Sequence, residues 1–215
     1  MKRLVLFVLV MGIAVSLFAQ TSLQGARAAT GNWAMSGNRL FQNDANARLA
    51  KYYIPVSQSG TMIYEFNARY ESGIDDGHGG FGIHLFGDSA FDRASWGAGR
   101  SILLWLNYDE NPISGSRIPS GLSGQVYRSL SNSQMELLES VSLNQYVPLI
   151  TDEALRQPVP FSIQVNGNTG EVRIYDPTVT DNSYFYQFFL NQRDLPLRGN
   201  WIALRTNGLR LSFTE

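Results

Sequence analysis

Trp96 lies in the run Ser95-Trp96-Gly97-Ala98-Gly99, a glycine-rich loop that leaves an indole reachable. Trp105, Tyr108 and Asp109 follow on the next apolar run and its exit. Tyr184 and Tyr186 open a later aromatic run, Tyr184-Phe185-Tyr186-Gln187-Phe188-Phe189-Leu190. Aromatic faces beside amide and carboxylate groups suit a sugar, which presents apolar C–H faces and a rim of hydroxyls. These six residues are the candidate ligand contacts. Each also reads as a core residue, and the sequence leaves both readings open. Trp33 and Trp201 read as core.

Asp75-Asp76-Gly77-His78 offers adjacent carboxylates in a flexible stretch. Calcium collects several oxygen ligands, so Asp75 and Asp76 are the candidate metal residues and structural calcium the candidate cofactor. No spaced Asp-x-Asp-x-Asp loop accompanies them, and a polar connection between strands is the simpler reading. Other chemistry lacks its parts. The chain has no cysteine, which removes thiol nucleophiles, cysteine zinc sites and iron–sulfur clusters. No Gly-x-Ser-x-Gly elbow occurs, and only His78 and His84 could act as a base. His84 alternates with Ile83 and Leu85 and reads as an outward-facing strand residue. Gly77-x-Gly79-x-x-Gly82 matches a dinucleotide fingerprint in letters, but it precedes a strand where the fingerprint needs a helix.

The elements that must position these residues are strands. Residues 61–70 alternate cleanly, with Met62, Tyr64, Phe66 and Ala68 on one face. Phe161, Ile163 and Val165 alternate with polar neighbours, Asn166-Gly167-Asn168-Thr169-Gly170 reverses the chain, and Val172 and Ile174 resume the alternation. That pattern predicts a half-buried antiparallel hairpin. Residues 201–205, Asn207-Gly208 and the set Leu209, Leu211, Phe213 predict a second, closing hairpin. Further strands are expected at 33–41, 49–56, 80–86, 101–108, 125–130, 136–143 and 183–190. One short helix fits residues 151–156, with Thr151 as N-cap and Asp152 and Glu153 in the first turn. Many closely spaced strands with Gly/Asn/Ser turns predict an all-β, two-layer antiparallel β-sandwich or jelly roll. Residues 102–106 and 184–190 are apolar on both faces, so something must cover the second face; residues 107–126 are the expected lid.

The N-terminus reads as a signal peptide over residues 1–19: Lys2 and Arg3, an apolar stretch, and Ala19 before the expected cut. The apolar stretch is shorter than the roughly 20 residues of a spanning helix. A leader of uncertain order is expected at 20–31 and a single domain at 32–215, acting in the periplasm or outside the cell. Loss of Lys2 and Arg3 moves the formal charge from −1 to −3. An acidic balance argues against nucleic acid as partner, and no later segment inserts in a membrane. A domain of this length buries a sufficient core without disulfides.

The Asn32-Trp33 start, the long strand at 61–70, the Gly79-Gly80-Phe81-Gly82-Ile83 strand, the PFSIQVNGNTGEVRIYD hairpin and the GNWIALRTNGLRLSF finish together resemble the concanavalin A-like lectin/glucanase superfamily, its laminin-G-like and glycosidase-associated secreted modules above all. The resemblance covers nearly the whole mature chain as a strand pattern, and implies a jelly roll. The superfamily holds enzymes, lectins and structural modules, so fold leaves function open. Its glucanases carry carboxylates on one strand in a pattern such as Glu-x-Asp-x-x-Glu, flanking one bond. That pattern is missing here. Glu136 and Glu139 lie an odd number apart, Glu65 and Glu71 lie far apart, and Asp109-Glu110 sits at a strand end. The expectation is an exported, non-enzymatic binding module whose partner is a carbohydrate or a protein. The alternative is a structural subunit of an extracytoplasmic complex, such as a periplasmic filament sheath. Either could form a homo-oligomer.

Overall fold

The computed structural model describes residues 13–16, 23–175 and 184–214. Fifteen strands run in order: β1 (Ile13–Ser16), β2 (Arg27–Thr30), β3 (Trp33–Ser36), β4 (Arg39–Gln42), β5 (Ala50–Ser59), β6 (Thr61–Gly73), β7 (His78–Gly87), β8 (Ser101–Asp109), β9 (Gly121–Ser129), β10 (Met135–Ser142), β11 (Val159–Asn166), β12 (Glu171–Tyr175), β13 (Tyr184–Phe189), β14 (Arg198–Asn207) and β15 (Leu209–Thr214). One sheet has the order β13-β12-β11-β6-β15-β4-β3, with β1 added in parallel beside Met62–Glu65 of β6. The other has the order β10-β9-β8-β7-β14-β5-β2. Every pairing within these two seven-strand paths is antiparallel. The fold is the two-layer jelly roll that the alternation predicts.

Period two decides which face goes inward. Met62, Tyr64, Phe66 and Ala68 of β6 are all buried, as are Ile83 and Leu85 of β7, Leu104 of β8, and Ile202 and Leu204 of β14, facing them from the second sheet. Phe66 stacks on Phe161 with ring centroids 5.2 Å apart, and Trp33 closes one end against Tyr52 (5.4 Å) and Phe213 (6.2 Å). The hairpin at Asn166 forms: its Oδ1 accepts from the amides of Asn168 (3.0 Å) and Thr169 (3.1 Å), and β11 pairs with β12. The helix α1 (Asp152–Leu155) begins where Thr151 accepts from the Ala154 amide at 3.2 Å.

Three expectations change. The closing hairpin is not a hairpin: β14 lies in the second sheet and β15 in the first, so Asn207-Gly208 is a corner between layers. Ile202 and Leu204 must meet Leu211 and Phe213 across the core, and paired neighbours in one sheet could not do so. The strand expected at 33–41 is two, β3 and β4, folded back at Gly37-Asn38. The ordered sandwich also reaches into the leader, since β2 pairs with β5 along Arg27–Thr30.

A buried polar tie joins the layers. Gln58 of β5 is 2 % exposed; its Oε1 accepts from the Tyr64 hydroxyl of the first sheet and the Phe86 amide, each at 2.8 Å, and its Nε2 donates to the Trp201 carbonyl at 2.9 Å. Gln58→Leu takes this partner from two buried groups and a part-buried carbonyl and should lower the unfolding free energy by about 3 kcal/mol. Urea denaturation measures it, and a loss below about 1 kcal/mol would show that the tie matters little.

Candidate functional site

Both faces of β8 are apolar because both are covered, but by different means. Leu104 faces the core, while Leu103 and Trp105 face outward beside Tyr127 and Gln125 of β9. The cover over the far half of this outer face is the loop at residues 88–100. The expected lid at 107–126 does not cover this half; its Ile113, Ser116 and Ile118 line the hollow described below.

The loop is pinned by donors and acceptors that sit on the sheet. Lys51 of β5 is fully buried and donates to the Ser95 carbonyl, to Ser95 Oγ (2.8 Å) and to the Gly97 carbonyl (2.6 Å). Arg205 of β14 pairs across the strands with Lys51 and donates through Nη1 to the Trp96 carbonyl at 2.9 Å. Ser129 Oγ donates to the Gly99 carbonyl (2.7 Å) and accepts from the Ala98 amide (3.1 Å). The loop can press this close only with glycine at 97, where a Cβ would come within 2.0 Å of the Ser131 carbonyl oxygen.

This anchoring turns Trp96 over Arg205. The Arg205 guanidinium carbon lies 4.7 Å from the Trp96 ring centroid and 4.9 Å from that of Trp105, so the cation is held between two indoles. Gly80 supplies the seat for Trp105: a Cβ there would come within 2.5 Å of the indole. Trp105 Nε1 donates to Asn107 Oδ1 at 3.0 Å, which fixes the ring's rotation. Trp96 stays 48 % exposed.

Beside this stack the outer face opens as a hollow of about 630 Å³, within the size range of small-ligand sites. Trp96, Trp105, Tyr127, Asn107, Asp109 and Arg205 carry its chemistry. Tyr127 donates to Gln125 Oε1 at 2.7 Å, and Asp109 Oδ1 lies 3.0 Å from His78 Nδ1. Tyr108 stands at the rim with its hydroxyl donating to Glu110 at 3.0 Å. Four candidate residues, Trp96, Trp105, Tyr108 and Asp109, therefore share one hollow. Tyr184 and Tyr186 do not join them. Both lie on the edge strand β13 of the other sheet, with Tyr186 donating to Glu139 (3.0 Å) and Arg173 over the Tyr184 ring (5.7 Å).

Asp76 is taken by Arg48 in an ion pair and accepts from the His78 amide at 3.1 Å, and Arg48 holds its carboxyl below the usual range. Among the described residues no three His, Cys, Asp or Glu side chains gather as a metal cluster. His84 does face outward from the sheet, but the loop buries it; its Nδ1 lies 3.0 Å from Ser101 Oγ, and burial, with Arg205 and Lys51 nearby, keeps it well below its ordinary pKa and so neutral. Sequence reasoning missed Arg205 and Lys51. The signal was there for Lys51, the one lysine besides Lys2.

No model of a known protein family matches the chain, and no curated protein does. Solved structures do. A Bacillus subtilis protein described by its galectin-like fold is 11 % identical, with TM-score 0.53 over 93 % of this chain and 90 % of that one. A family 16 endo-glucanase from Bacteroides ovatus is 10 % identical (TM-score 0.48; 84 % and 81 % covered), and lectin II from Ulex europaeus 12 % (TM-score 0.46; 88 % and 92 %). The likeness to the Bacillus subtilis protein is one of fold alone: this chain is a two-layer antiparallel jelly roll.

Burial, then the charge of Arg205, lowers the Lys51 pKa from its usual 10.5 to about 7. Between those values the unfolded chain holds a proton that the folded one has released, so this group makes stability rise with pH. The urea midpoint should climb from pH 7.5 to pH 9, and Lys51→Met should remove most of the climb, whatever its effect on absolute stability. An unchanged slope in the variant would show that Lys51 stays charged.

Proposed function

We propose that the protein is an exported carbohydrate-binding module that holds an oligosaccharide in the hollow over β7, β8 and β9. The observation that carries this is the pairing of two indoles with amide and carboxylate groups in one open concavity. Trp96 offers a free ring face, Arg205 covering the other. A sugar ring laid on it would bring its hydroxyls within reach of Asn107, Gln125 and Asp109. Binding without hydrolysis is the reading that the carboxylates support. Asp109 is the only acid among the described residues lining the hollow, and His78 holds it. A glycosidase of either stereochemical kind needs two carboxyl groups across the bond.

A second reading, assembly into an extracytoplasmic complex, has its own observation. β13 ends the first sheet, and Tyr184, Phe185 and Phe189 on it are 49 %, 43 % and 67 % exposed. Such an edge invites another strand. Sedimentation of the mature protein should then show a concentration-dependent oligomer that Phe189→Lys shifts to monomer. A monomer at all concentrations removes self-assembly.

For the first reading, a glycan panel should give binding that Trp96→Ala weakens at least about tenfold, since one lost stacking contact is worth on the order of 1.5 kcal/mol. An empty panel, or release of reducing sugar from any bound glycan, overturns it.

A further inference from the structure

Among the described residues, the bases around the hollow and at Arg128 have carboxylate partners, with one region excepted. Arg128 is gripped by Glu136 and Asp194 (2.7 Å to the latter). At the hollow, Arg48 has Asp76 and His78 has Asp109. Arg205 pairs with no carboxylate among the described residues. It is 3 % exposed, Nη1 bonds only a backbone carbonyl, and Nε has no hydrogen-bond partner among the described residues. Its cross-strand neighbour Lys51 adds a second basic group, whose bonds go to oxygens of Ser95 and Gly97. A buried cation without a counter-ion is costly, and such groups are ordinarily paired.

The guanidinium carbon lies 4.7 and 4.9 Å from the two indole centroids, and in the plane of the guanidinium Nε is buried without a hydrogen-bond partner among the described residues. A planar carboxylate lying in that plane accepts two parallel N–H bonds, a match that a sugar hydroxyl cannot make. The stack that holds Arg205 is also the wall on which a sugar ring would lie.

We infer that the ligand of the hollow is an acidic saccharide, a glycan bearing ring carboxylates as uronic acids do, with one carboxylate against Arg205. This rests on the carbohydrate reading of the same site and names the class of sugar it selects. The anion supplies the missing counter-charge, and a neighbouring ring of the same glycan lies on Trp96.

Calorimetric titration of the mature protein with tetragalacturonate, its fully methyl-esterified form and cellotetraose tests this. The acid should bind at least tenfold tighter than the ester or the neutral glucan. Arg205→Lys, which keeps the charge and loses the fork, should erase most of that preference. Arg205→Gln should erase all of it, with circular dichroism confirming the fold. The comparison of acid with ester on the unaltered protein decides the matter even if both variants unfold. Equal binding of acid and ester, lost in Trp96→Ala, overturns the inference and leaves the carbohydrate reading standing. Equal binding of a tetraglutamate peptide shows recognition of charge alone and also overturns it. Silence toward these three saccharides and across a wider glycan panel fails the carbohydrate reading itself.

Discussion

Two basic side chains on adjacent strands hold the working face of this protein together. Lys51 and Arg205 face each other across β5 and β14, buried and with no carboxylate partner among the described residues, and both spend hydrogen bonds on the backbone of the loop at 94–97. Burial pushes the Arg205 pKa down to about 10 and that of Lys51 to about 7. The arrangement costs stability and gains position. It brings a mobile class of element, a glycine-rich loop, to a fixed height above the sheet, and Trp96 goes with it. Without these anchors the outer faces of Tyr53, Ala203 and Leu103 would meet water, and the indole would have no set direction.

The hollow is what remains of an outer sheet face once half of it has been roofed. A sandwich buries one face of each sheet against the other, and the outer faces are ordinarily polar. Here Leu103, Trp105 and Tyr127 make part of one outer face apolar, the roof covers one side, and Asn107, Gln125 and Asp109 line the rest. That mixture is what a ligand with both apolar and hydroxyl surfaces requires. The aromatic surplus on β13 has no such roof. It stands at the edge of the opposite sheet, with Tyr146 5.2 Å from Phe185, Arg173 over Tyr184, and Phe189 67 % exposed. The two apolar-on-both-faces strands thus differ: a loop folds over the outer face of one, while the other keeps Tyr184, Phe185 and Phe189 exposed.

How much was readable depends on how far apart the partners lie. Strand positions, the Asn166 turn and the Thr151 cap are set by residues within a few positions of one another, so period-two alternation and turn chemistry reveal them. Trp96, Trp105, Tyr108 and Asp109 were visible as a group because the chain keeps them close. Tyr184 and Tyr186 looked equivalent by composition, and only sheet order separates them. His84 looked exposed because alternation sees faces, not what covers them.

By itself, then, the sequence determined an all-β sandwich with one alternating face per strand, because that pattern is written locally. Tertiary structure alone decided that β14 and β15 go to different sheets, and that Arg205 meets a residue 109 positions away in Trp96. It also decided that Lys51 is a loop anchor. The reason is physical: alternation fixes in or out, but strand partners, and the charges left without partners, are settled only when the two layers close.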